Sequence, residues 1–428
     1  MDPLASGGTL ARLRAARCAL GDAGALLLFG SLRSAPRGGA LLELDVSANG
    51  FGAAAGLALA ELVAASGGLE QLNLSDNPLF EAPAEALGAL ADAVGRSRSL
   101  NELEWRRLAG DLGAASMGRR ARASWGLALA RMLRANRSLT LVDLAGHPIA
   151  SSRANDDSDS AAAVHAVRVA GVLGAAVQSH CALCTLCVAQ MRLPDPCLAA
   201  LVAPLAAHPA LTALDVSGNA AGALAAEAFA ALLSPKSCLT CLKAVGCGVD
   251  HDGLAAIVVP LRYHQTLTSL DLSDNPLGDI GPAEHSALAA FQEDPALTAT
   301  RVLAELLECN TTLTHLRLAR CGLDQAKVVQ HYSAPEVADE AESEEGAPPA
   351  NEDASERASE GAGAMPDEPA PLLGVLLGDG LGSAFRSALE RIDLSDNVLT
   401  DEGVTALARG VPRASRLRSL MLAGCATD

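Results

Sequence analysis

At 428 residues the chain could hold two or three ordinary domains, yet half of its residues are hydrophobic and only 2% aromatic, so any core must be built from Leu, Ala and Val. A formal net charge of −18 argues against nonspecific nucleic-acid binding, because such a surface as a whole repels phosphates. The eleven cysteines are an odd number, and the apolar run after Cys18 is broken by Asp22 and preceded by Arg12, Arg14 and Arg17. That is no signal peptide, and it predicts a reduced, cytoplasmic or nuclear protein. No uninterrupted apolar run reaches the ~18 residues a spanning helix needs, so no membrane segment is expected.

After a tail over residues 1–9, the pattern Leu-x-x-Leu-x-Leu-x-x-Asn begins at Leu10 and returns at Leu41, Leu69, Leu100, Leu139, Leu183, Leu211, Leu239, Leu267, Leu313, Leu389 and Leu417. Of the eleven spacings between these twelve starts, five are 28 residues and the others longer, which marks insertions into one architecture. The cleanest copy is LTSLDLSDNPLGDIG from Leu267 to Gly281. Its Leu270 and Leu272 point to one face of a strand, and a single strand cannot bury them alone. The second half of each unit reads as helix: the stretches from Gly21, Gly56, Trp125 and His251, and Asp401–Val411, where Val404, Leu407 and Val411 share a face behind an N-cap at Asp401. Strand inside and helix outside, repeated about twelve times, predicts an α/β solenoid. It should be a curved horseshoe with a parallel sheet on the concave face and helices on the convex face.

The units LTSLDLSDNPLGDIG, LTHLRLARCGLD and LERIDLSDNVLTDEGVTALARGV resemble leucine-rich repeats of the ribonuclease-inhibitor type, and the resemblance runs from Leu10 to Cys425. From Asn219 onward the closing residue alternates as Asn219, Cys247, Asn275, Cys321, Asn397 and Cys425, as it does in that subfamily. The centre departs from the pattern, with Leu108, His147 and Met191 in the closing position. Leucine cannot supply the paired donor and acceptor of an Asn, so the centre is expected to be the least regular part of the arc. Insertions are expected near 109–122, 150–161 and 282–300, and a disordered one over 336–370, where twelve acidic residues stand against Arg357 alone. The chain stops soon after the twelfth strand, so the expectation is either that a partner covers its last edge or that the sequence stops short of the natural terminus.

Candidate binding residues follow from the strand period. The middle outward positions include Asp45, Asn73, Glu104, Asp143, Asp215, Lys243, Asp271, Arg317 and Asp393, an acid-rich column suited to a basic partner surface. The ordinary explanation is that Asp in LDLSDN keeps the open face of the sheet wet. The Leu100 unit supplies a second candidate: Arg106, Arg107, Arg119, Arg120 and Arg122, beside Trp105 and Trp125, since Trp and Arg anchor interfaces. Trp105 holds an inward position and is expected in the core.

Cys181, Cys184 and Cys187 have metal-like spacing, but the strand template already fixes this stretch, and no metal or cofactor is expected. With no nucleophile elbow, phosphate loop or H-E-x-x-H motif, the chain reads as a protein-binding scaffold rather than an enzyme. The alternative is a Ran-type GTPase-activating protein with a small GTPase as partner. The resemblance implies this because that family shares the repeat subtype and an acidic segment, although there the segment follows the arc and no active motif can be matched here.

Overall fold

The computed structural model describes residues 10–34, 41–79, 84–107, 119–147, 149, 160–278, 295–323, 388–397, 405, 408, 411 and 416–425. Twelve three-residue strands lie in it: β1 (Arg12–Arg14), β2 (Glu43–Asp45), β3 (Gln71–Asn73), β4 (Glu102–Glu104), β5 (Leu141–Asp143), β6 (Thr185–Cys187), β7 (Ala213–Asp215), β8 (Cys241–Lys243), β9 (Ser269–Asp271), β10 (His315–Arg317), β11 (Arg391–Asp393) and β12 (Ser419–Met421). They form one parallel sheet whose spatial order is the chain order, β1 to β12.

Nine α-helices among the described residues return the chain from strand to strand: α1 (Gly21–Ser34), α2 (Ala53–Ala65), α3 (Ala84–Arg96), α4 (Arg119–Ala135), α5 (Ser160–Gln178), α6 (Asp195–Val202), α7 (Ala223–Leu232), α8 (His251–Leu261) and α9 (Pro295–Cys309). The fold is the curved leucine-rich-repeat solenoid expected from the repeat pattern. Its core is one continuous layer between sheet and helices, running from Leu44 through Leu72, Leu103, Val142 and Leu186 to Ile392.

The described parts of the expected insertions are helical. Arg119–Arg122 form the first turn of α4, Ser160 and Ala161 open α5, and residues 295–300 open α9. The remainder of those insertions, the tail over 1–9, Leu108, the acidic stretch 336–370 and most of the helix expected at Asp401–Val411 lie outside the described residues. Nor is the sheet irregular at the centre. Leu103 pairs with Val142 and Val142 with Leu186 in the same register as every other pair, because two inward side chains per strand are enough to fix it.

Neighbouring units are joined through their closing residues. Asn275 Nδ2 donates to Ala244 O of the preceding unit at 2.8 Å and to Leu272 O of its own at 2.7 Å, while its Oδ1 accepts from Cys247 N at 2.9 Å and Val249 N at 3.1 Å. Asn49, Asn77, Asn219 and Asn397 repeat the reach to the preceding turn. Cys247, Cys321 and Cys425 donate their thiols to the equivalent carbonyls of Val216, Leu272 and Leu394. Burial pushes the first two thiols up, Cys247 to about 11 and Cys321 to about 12, so they stay protonated donors. Replacing Asn275 by alanine strands buried backbone groups on two units and is expected to cost about 3 kcal/mol. A urea midpoint indistinguishable from wild type would contradict that.

A second ladder, which the strand template does not cover, runs along the helix exits. Asn136 Nδ2 donates to Val94 O at 2.8 Å and Asn310 Nδ2 to Leu261 O at 2.7 Å, each across a repeat boundary. His208 reaches His180 O at 3.1 Å, the carbonyl equivalent to Ser97 O, which Asn136 also reaches at 3.2 Å, and its Nδ1 accepts from Leu211 N at 2.9 Å. Desolvation lowers the pKa of His180, His208 and His264.

At the centre, His147 takes the Asn role. It is fully buried and its Nε2 bonds Trp105 O, the carbonyl equivalent to the one Asn77 reaches at Val46. The Trp125 indole N–H donates to His147 Nδ1 at 3.2 Å. An indole nitrogen can only donate, so Nδ1 must be the acceptor and Nε2 carries the proton. Trp105 and Trp125 meet edge to face at 4.8 Å, and Trp125 stacks on His147 at 5.8 Å. Trp105 and Trp125 of the Leu100 unit and His147 of the Leu139 unit thus form an aromatic triad across one repeat boundary.

Candidate functional site

The open face of the sheet carries the residues that could meet a partner. Strand pairing sets Arg14, Asp45, Asn73, Glu104, Asp143, Cys187, Asp215, Lys243, Asp271, Arg317, Asp393 and Met421 side by side, each the registered neighbour of the next. The nine positions chosen from sequence therefore do share one column.

Their chemistry is partly consumed within it. One side-chain oxygen of Asp45, Asn73, Asp143, Asp215, Asp271 and Asp393 accepts from the backbone N–H two residues later, at 3.0–3.2 Å. This is an Asx turn that closes the strand, and it gives Asp a local reason to be there. Asp143 and Asp271 are also largely covered. Arg106 Nε lies 2.7 Å from Asp143 and its Nη2 3.3 Å from Glu104, while Arg317 lies 3.3 Å from Asp271. Neither aspartate is the open acidic contact read from sequence, because an arginine from an adjacent position lies over it.

What remains is graded along the sheet. From Asp45 to Glu104 the column is acidic or neutral and half-open. From Asp215 to Asp393 it alternates in sign, with Lys243 exposed between Asp215 and Asp271. At the first edge Arg12 and Arg14 both pair with Glu43.

A second column, one step into the turn, was missed by counting strand positions. Arg320 donates to Asp274 at 2.8 Å and lies 3.3 Å from Asp396, joining units on both sides of residues 324–387. Arg320 holds the Asp274 carboxyl below its ordinary range. All three have positive φ, and the signal available in sequence was their shared place just before the closing residue.

The basic unit divides. Arg106 faces the open sheet. Arg107 is buried at 9% exposure, which corrects its reading as a surface contact. The chain there lies against the next turn, so close that a Cβ on Gly146 would sit 1.9 Å from Arg107 O. Arg119, Arg120 and Arg122 fall on the first turn of α4. Arg106 and Arg107, adjacent in sequence, therefore do not share an open patch, the one being exposed and the other buried. Trp105 and Trp125 are both buried and belong to the core.

All eleven cysteines are free. Burial pushes the Cys187 thiol up to about 12, which makes it a poor nucleophile. No group of three or more His, Cys, Asp or Glu among the described residues is arranged to hold a metal ion, and no described helix is long and apolar enough to cross a membrane.

A family model described as Leucine Rich repeat matches residues 263–281, 309–325 and 388–408. The first of these holds the whole of the stretch, Leu267 to Gly281, that served as the template. Among solved structures, an internalin from Listeria monocytogenes is similar at 13% identity with a TM-score of 0.39, over 91% of this chain and 76% of that one.

Proposed function

We propose that this chain is a protein-binding scaffold of ribonuclease-inhibitor-type repeats, working in the cytoplasm or nucleus, and that it recognises a protein partner through the open face of its sheet. The observation that supports this most is the unbroken column from Asp45 to Asp393, held in register by nine strand pairings. Side chains already fixed by neighbours lose little freedom on docking. Alternating Asn and Cys closure supports the repeat type, and free thiols fit a reducing compartment.

The graded charge of the face points to a partner with a basic patch opposite Asp45 and Glu104 and a mixed surface opposite Lys243. Substituting Glu104→Ala together with Lys243→Ala is expected to weaken partner capture at least tenfold, about 1.4 kcal/mol, while Arg131→Ala on α4 leaves it unchanged. Equal capture by all three proteins would move the interface off this face. The GTPase-activating alternative is tested separately. Purified protein that does not accelerate GTP hydrolysis by small GTPases at high concentration would remove it.

A further inference from the structure

The edge of the solenoid where α3 and α4 end holds a cleft of about 280 Å3 lined by Arg96, Arg98 and Arg137 with Ser97 and Ser138. No lining residue is acidic, and among the described residues neither Arg96 nor Arg98 has a carboxylate partner. Arg96 closes the last turn of α3, where a cation complements the helix carbonyls. That explanation does not reach Arg98 or Arg137, which stand beyond the helix ends, each two residues before the leucine that opens the next repeat. In the other units aligned at that step the residue is Gly67, Cys181, Pro209, Ser237, Gln265 or Thr311, none of them charged.

Two guanidiniums are therefore stacked in adjacent repeats at a position that is neutral elsewhere, with a third beside them. Like charges set side by side destabilise the fold, so the arrangement calls for an anion that the fold itself does not supply at the cleft. Arg137 spends one donor on Ser179 O at 3.1 Å and keeps the rest. Ser97 Oγ accepts from Leu100 N at 3.2 Å, which leaves its proton free to donate.

We propose that this cleft is a phosphoryl-binding site, independent of the open face of the sheet, in which Arg96, Arg98 and Arg137 converge on one dianionic group. A phosphoryl group suits it better than a single carboxylate. It carries up to two charges and three acceptor oxygens, enough for several forked donors at once.

The test uses the full chain with three probes: inorganic phosphate, a short phosphoserine peptide and its unphosphorylated twin, followed by 31P NMR and calorimetric titration. The two phosphoryl probes are expected to bind and raise the thermal midpoint, and the twin to do neither. Arg98→Ala with Arg137→Ala should weaken binding at least tenfold, whereas Arg131→Ala with Arg168→Ala should not. Tighter binding of the phosphopeptide than of inorganic phosphate would identify a modified polypeptide as the source. Equal binding would identify a free phosphate or small ester, and either supports the site.

Because both substituted arginines are exposed, the first double variant should melt at or above the wild-type temperature without ligand, so lost binding is not lost folding. The proposal is overturned if neither phosphoryl probe binds at millimolar concentration, if the twin binds equally, or if the first double variant binds undiminished.

Discussion

Trp105→Ala is expected to destabilise the protein by about 4 kcal/mol, the usual cost of emptying a buried Trp site in a tight core. The indole is 1% exposed and packs edge to face on Trp125 and His147, so truncation opens a cavity and leaves two rings without their neighbour. The effect should also show in the shape of the transition. In an array where each unit contacts only its neighbours, a weak central layer uncouples the two halves, and urea unfolding should change from one step to two. Trp105→Phe, which keeps the ring contact, should lose about half as much. A single-step curve displaced by less than about 1 kcal/mol would mean that the aromatic triad is not the keystone of the centre.

Acid should dismantle the same layer. Desolvation holds His147 down to about 3 from an ordinary 6.5, so the unfolded chain binds its proton first. The stability carried by neutral His147 is whole above pH ~6.5, falls as pH falls through the interval to about 3, and is gone below it. At pH 4.5 the loss is about 3 kcal/mol. The geometry agrees with the sign, because protonated Nδ1 would face the Trp125 N–H donor to donor. His180, His208 and His264 shift in the same direction and add to the loss.

His147→Asn should isolate the central term, since asparagine can donate to Trp105 O but does not titrate. The variant starts less stable at pH 7.5, because Trp125 loses its acceptor, yet it should give up about 3 kcal/mol less between pH 7.5 and 4.5. Parallel losses in the two proteins would assign the acid sensitivity elsewhere.

The repeat register was legible because it rests on a local rule that composition cannot blur. Leu270 and Leu272 must face inward, and every unit that obeys the rule lands beside the last. The role of His147 was not legible. Counting positions marked it as a departure from Asn, whereas hydrogen-bond chemistry makes it a substitute, and recognising this needed Trp125 from another element to fix its tautomer. The face was legible as a list of residues but not as a charge pattern. Which aspartates remain open depends on where Arg106 and Arg317 swing, and side-chain reach across strands is not written in spacing. The Arg98 and Arg137 pair was present in the sequence throughout, hidden because each lies in a turn that the leucine template skips.

The chain order of the sheet has one more consequence, for inheritance. The units opening at Leu183, Leu211 and Leu239 are equal in length and interchangeable in register. A genetic event that duplicated or dropped one of them would return the chain to the same place in the next layer, with the strand register kept. Such an arc can change its span in single steps, and a lineage could fit it to a larger or smaller partner without redesigning a single side chain.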